Sequence, residues 1–157
     1  MIILLGFPKS GTRSFTLLFE KLGICSHVYH WKKDNEYIGK IIHDNKINKK
    51  LLLDGFEKDD CITQLDVCSS EELNFWPQIT DFKKLYSENP DAIFILNKRD
   101  PEKVFLSFQK WFEYDKRIFK FNPHLFKSLD KSGFIDFVNQ HYNNIEGFFK
   151  SKPKAKF

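Results

Sequence analysis

Apolar residues open the chain as an unbroken run, Ile2-Ile3-Leu4-Leu5, short and partly β-branched. Such a run reads as a strand buried on both faces of a parallel sheet. After a glycine-containing stretch, Phe15, Leu18, Phe19 and Leu22 recur at i, i+3, i+4 and i+7. That is one stripe of an amphipathic helix, and Gly23 supplies its stop. Cys25 to Trp31 reads as a short second strand or strand end, and Tyr37, Ile38, Ile41 and Ile42 place a surface helix within 32–50. A turn at 51–55 closes that region, and residues 61–67 alternate well enough for a strand. Ser69-Ser70-Glu71-Glu72 predicts a helix start, and Pro77 a helix restarting there and running to Tyr86. Ala92 to Leu96 is the second convincing buried strand. Asp100-Pro101 then caps and begins a helix whose stripe is Val104, Phe108, Trp111 and Phe112. Residues 115–130 give no clear period, with Pro123 as a break. From Ser132, Phe134, Phe137, Val138, His141, Tyr142, Ile145, Phe148 and Phe149 mark a long amphipathic helix. Strands alternating with helices predict an α/β domain over 1–157, a parallel β-sheet flanked by helices.

Composition narrows the partners. The 157 residues are 41% apolar, with 18 phenylalanines, enough for a packed core. The net charge of +4 is carried by scattered lysines. That is too dispersed to argue for nucleic acid and suits an anionic small molecule. Arginine is confined to Arg13, Arg99 and Arg117. Its planar fork binds phosphate in a way lysine does not, so each is worth placing. Cys25, Cys61 and Cys68 are odd in number and form no C-x-x-C pair, so neither a disulfide framework nor a zinc site is expected. No leader pattern and no run of about 20 apolar residues is present, so a cytoplasmic protein without a membrane partner is expected.

The candidate chemistry lies in Gly6-Phe7-Pro8-Lys9-Ser10-Gly11-Thr12-Arg13-Ser14. Between a strand and a helix, the N–H groups of such a loop converge on one point and favour an anion. Gly6 and Gly11 have the spacing of the usual nucleotide loop, G-x-x-x-x-G-K-[ST], but Thr12-Arg13 replaces the lysine and hydroxyl, and the lysine stands at position 9. Magnesium-dependent hydrolysis of ATP or GTP is disfavoured. Pro8-Lys9-Ser10-Gly11-Thr12 resembles the 5′-phosphosulfate loop of sulfotransferases that use 3′-phosphoadenosine 5′-phosphosulfate (PAPS).

A second set follows the strand at 92–96. Arg99 stands at its carboxyl end, where open α/β sheets bind ligands. Ser107 falls on the apolar stripe of the next helix, so its hydroxyl needs a partner, either a bound phosphate shared with Arg99 or a carbonyl of its own helix. An arginine followed eight residues on by a serine resembles the 3′-phosphate motif of the same family. Arg99-Asp100-Pro101-Glu102-Lys103, Phe75-Trp76-Pro77 and Tyr86 to Ala92 resemble its small R-D-P branch.

The resemblance implies a P-loop, nucleoside-triphosphate-hydrolase-like architecture and transfer of a sulfuryl group from PAPS to a hydroxyl or amine of a small-molecule acceptor. It places Ser10, Gly11, Thr12, Arg13 and Ser14 on the 5′-phosphosulfate and Arg99 and Ser107 on the 3′-phosphate. It places Lys9 on the bridging oxygen, with no metal required. As general base it points to His30 in Tyr29-His30-Trp31, with His27 and Asp66 as alternatives. Family members usually carry another strand and a closing C-terminal segment, so a C-terminal truncation or a minimal version is expected. Two other readings stay open: a P-loop nucleotide or small-molecule kinase, and a non-catalytic nucleotide-binding relative. The acceptor and the oligomeric state are left open.

Overall fold

The structure is a computed structural model that describes residues 1–28, 36–111 and 114–157. In chain order its elements are β1 (Ile2–Leu4), α1 (Thr12–Lys21), β2 (Ser26–His27), α2 (Ile38–Ile47), β3 (Cys61–Ile62), β4 (Val67–Cys68) and β5 (Asn74–Phe75). Then come α3 (Pro77–Thr80), α4 (Phe82–Glu88), β6 (Ile93–Ile95), α5 (Pro101–Gln109), α6 (Tyr114–Phe121) and α7 (Lys131–Lys150). Strands β2-β3-β1-β6 pair in that order, all parallel, and β4-β5 form a separate antiparallel ribbon. This is an α/β fold, a parallel sheet flanked by helices.

The first strand behaves as its sequence predicts. Ile3 and Leu5 pack on one face with Ile38, Ile42, Ile62, Phe94 and Phe149, while Leu4 packs on the other with Phe19 and Cys61. Strand β6 is less enclosed than an all-apolar run suggests. It lies at the end of the four-strand order, and Ile93 is 43% exposed. On that side Lys156 forms a parallel bridge with Ile93, and the Phe94 N–H donates to the Lys156 carbonyl at 2.8 Å. A second aromatic core, built on α5, α6 and α7, surrounds Phe7, Trp76, Phe108 and Phe134. Phe7 meets Phe137 edge-on at 5.6 Å, so the first loop is anchored from behind by the last helix.

Four expectations are corrected. Helix α1 does not bury the Phe15-Leu18-Phe19-Leu22 stripe; Leu18 and Leu22 are exposed, and Thr12, Thr16 and Phe19 face inward. The cause is polar: Thr16 Oγ1 lies 2.7 Å from Thr63 Oγ1, and the Thr12 hydroxyl donates to Gln64 Oε1 at 3.3 Å. The Thr16 and Thr63 hydroxyls also reach the Thr12 and His27 carbonyls, so the buried polar groups on this face are satisfied together, and they set the helix's rotation. Residues 61–67 are not one strand, because the chain leaves the sheet after Ile62 and re-pairs at Val67, with the whole stretch buried. Ser70 does not start a helix. Its hydroxyl accepts from the Leu73 N–H at 3.1 Å and closes the β4-β5 turn, the competing use of a serine side chain. Helix α2 is not a surface helix, since Ile38 and Ile42 are wholly buried. Among the described residues no helix is long and apolar enough to cross a membrane.

Candidate functional site

The loop between β1 and α1 is held in an unusual shape. Lys9 has φ 67° and Gly11 φ 89°. A lysine in the left-handed region is uncommon and persists only where its surroundings enforce it. Asn97, two residues after β6 and nearly inaccessible, provides much of that enforcement. Its Oδ1 accepts from the Gly6 N–H at 2.9 Å and its Nδ2 donates to the Ser10 carbonyl at 3.1 Å, stapling both ends of the loop. Gly6 is required for this approach: a Cβ there would stand 2.2 Å from Asn97 Oδ1. Tyr142 of α7 joins the two loops, since its hydroxyl accepts from the Arg99 N–H, donates to the Arg99 carbonyl, each at 3.2 Å, and lies 3.5 Å from Ser10 Oγ. One position earlier, His141 Nε2 bonds the Leu5 carbonyl at 2.7 Å, and burial pushes its imidazole down to about 4.

A cleft of about 750 Å³ opens at the carboxyl ends of the strands. Lys9, Gly11, Thr12, Arg13, Arg99 and Ser107 all line it, so the loop and the arginine–serine pair face one space. Arg117 lines it too, which brings every arginine of the chain to this cleft. The Arg99 guanidinium donates to the Lys9 carbonyl. With five donors on that fork, others can still face an anion. Partial burial and the neighbouring Arg99 charge hold the Lys9 ammonium below its usual range, and its Nζ lies 4.6 Å over the Trp111 ring. An anion bound between these two cations would relieve their repulsion. Helix α1 starts here with no side-chain cap, whereas Asp100 caps α5 and Asp130 caps α7. Ser107 is half-buried.

Two predicted residues stand apart. Ser10 is buried behind the loop with its N–H given to the Phe7 carbonyl at 3.1 Å, and Ser14 is exposed; neither lines the cleft. His30 lies outside the described residues. His27 does not line the cleft and contacts Asp60 at 2.9 Å.

Asp66 lines the cleft and is otherwise enclosed. Gln78 Nε2 donates to its Oδ1 at 2.9 Å, and Gln64 Nε2 and the Tyr114 hydroxyl approach Oδ2 at 3.3 and 3.5 Å. Burial outweighs these donors and pushes the carboxyl up to about 7. Because Thr12 bonds Gln64, a hydrogen-bonded chain runs from the first loop to Asp66. Arg117 stacks over Tyr114 at 4.7 Å, and its Nε is buried without a hydrogen bond among the described residues. Sequence reasoning missed Asn97, Tyr142, Gln64 and Gln78. A polar residue directly after a buried strand was the available sign for Asn97. Tyr142 is indistinguishable from core on its stripe.

The expectation that the chain offers no metal ligands is corrected. Cys25, His27 and Asp60 present one ligand atom each, all within 4.8 Å of one another. No cysteine spacing along the chain signals this group. Parallel pairing of β2 with β3 brings together residues more than 30 positions apart.

The family described as the sulfotransferase domain matches residues 1–156. No curated protein matches the chain.

Proposed function

The chain belongs to the sulfotransferase-domain family, and from that premise we propose that it transfers a sulfuryl group from PAPS to a hydroxyl or amine of a small-molecule acceptor. The supporting observation is the convergence of Lys9, the uncapped start of α1 and all three arginines on one cleft. PAPS carries a phosphosulfate at one end and a 3′-phosphate at the other, and a space of about 750 Å³ is of the size that binds ligands of this class. On this reading the β1–α1 loop is a P-loop variant. Backbone N–H groups at the start of α1 and Arg13 hold the 5′ end, while Arg99 and Ser107 hold the 3′-phosphate.

PAPS supplies the activated sulfur. The acceptor's oxygen or nitrogen bonds to that sulfur as the bond from sulfur to the bridging oxygen breaks, leaving adenosine 3′,5′-bisphosphate. Lys9 stabilises the negative charge that develops on the bridging oxygen. The acceptor proton goes to the ionised Asp66 carboxylate, the titratable cleft residue whose affinity for a proton suits neutral pH. Gln64, Gln78 and Tyr114 fix that carboxylate. Trp111 and Tyr114 give the acceptor region an aromatic wall.

The test is a panel of hydroxyl and amine acceptors incubated with labelled PAPS. Label moves to at least one acceptor, and transfer rises with pH through about 7 as Asp66 ionises. Preference for ATP with magnesium would indicate a kinase. Tight bisphosphate binding without transfer to any acceptor would indicate a non-catalytic relative.

A further inference from the structure

We infer that Cys25, His27 and Asp60 form a zinc-class metal site at the amino-terminal edge of β2 and β3, separate from the cleft. The inference is independent of the proposed function, since none of the three residues lines the cleft. Register builds the site. Cys25 and His27 stand two residues apart on one extended segment and therefore project from the same face. His27 pairs with Ile62, so Asp60, two residues before Ile62, shares that face.

The spacings lie within small adjustments of a coordination shell, with all three ligand atoms inside 4.8 Å of one another. Zinc bonds of about 2.3 Å to sulfur, 2.0–2.1 Å to nitrogen and 2.0–2.2 Å to oxygen, at tetrahedral angles, put sulfur and nitrogen about 3.5 Å apart and nitrogen and oxygen about 3.3 Å apart. Here Cys25 Sγ lies 3.6 Å from His27 Nε2, and Nε2 lies 2.9 Å from Asp60 Oδ1. Small adjustments complete the shell. The other carboxylate oxygen, Oδ2, accepts from the Glu57 N–H at 2.9 Å, which orients Oδ1 toward the imidazole. His27 and Asp60 are buried, while Cys25 is exposed and gives an ion access from solvent. One thiolate, one imidazole and one carboxylate suit zinc among the abundant divalent ions, and a water completes four ligands. Binding displaces the Cys25 thiol proton to solvent, and the proton that His27 Nε2 shares with Asp60 leaves that nitrogen, so the neutral imidazole carries its proton on Nδ1.

Cobalt(II) titration of the reduced 157-residue chain, followed by zinc competition, tests this. The expected result is one cobalt per chain, with a thiolate-to-cobalt charge-transfer band that zinc abolishes, and a rise in Tm with zinc. Cys25→Ser, at an exposed position, stays folded, loses the band and binds zinc about tenfold or more weakly. Asp60→Asn weakens zinc while keeping a charge-transfer band at higher cobalt. Absence of a band and of a Tm shift in the folded wild-type chain would overturn the site. So would a band of equal strength in Cys25→Ser, which would place the thiol elsewhere.

Discussion

The cleft has two unlike halves. One, formed by the loops after β1 and β6, gathers Lys9, Arg13 and Arg99 around backbone N–H groups and stays partly open to water. The other, formed by residues 64–69 and α6, encloses Asp66 among amide and phenol donors. The first half works by accumulated positive charge, held in place by Asn97 and Tyr142. The second works by desolvation, which raises proton affinity instead of supplying charge. The halves meet through Thr12 and Gln64. On the proposed function, anion binding and proton acceptance fall to these two environments, linked by the Thr12–Gln64–Asp66 chain.

The largest expected effect concerns the desolvated half. Asp66 holds a proton to about pH 7 in the folded state and releases it near 4 when unfolded. Stability therefore falls as pH rises across that window, by about 4 kcal/mol. His141, pushed down to about 4, acts oppositely: its contribution is complete above about 6.5 and is lost as pH falls through 4, about 3 kcal/mol. The two slopes nearly cancel between pH 4 and 6.5. Asp66→Asn removes one, so urea denaturation should show stability rising with pH across that range in the variant and nearly flat in wild type. The same variant should lose most transfer activity.

In the charged half, Lys9→Ala should lower the transfer rate about 10²- to 10³-fold while changing bisphosphate binding only a few-fold, read by single-turnover assay and calorimetry. A parallel loss of binding and rate would make Lys9 a ligand-holding residue only. Arg99→Ala should weaken adenosine 3′,5′-bisphosphate by about 2 to 3 kcal/mol and adenosine 5′-phosphate by much less, because only the former carries the 3′ group. The smallest effect belongs to the link between the loops. Tyr142→Phe removes one hydroxyl shared by Arg99 and Ser10 and should cost about 1 kcal/mol in stability, with a modest loss for both nucleotides.

Much of the charged half was legible in the sequence because its parts are contiguous. A strand, a glycine loop and a helix read as one motif, and Arg99 follows a strand whose apolar run is unmistakable. The desolvated half was harder. Asp66 sits in a segment that alternates like a strand but is buried throughout, so period-2 reasoning placed it in the wrong element. Its donors come from positions 64, 78 and 114, which only tertiary packing brings together. Helix α1 shows a different failure. Its leucines form the stronger apolar stripe, yet the threonines turn inward to meet the buried polar side chains of Thr63 and Gln64. The Cys25, His27 and Asp60 group depends on strand register, which no local spacing reports.

The most direct measurement is competitive calorimetry of adenosine 3′,5′-bisphosphate, adenosine 5′-phosphate and magnesium ATP against the wild-type chain. If the two loops hold opposite ends of one doubly charged nucleotide, the bisphosphate binds at least about tenfold more tightly than either competitor. Equal affinity for the bisphosphate and the 5′-phosphate, or a preference for magnesium ATP, would contradict it.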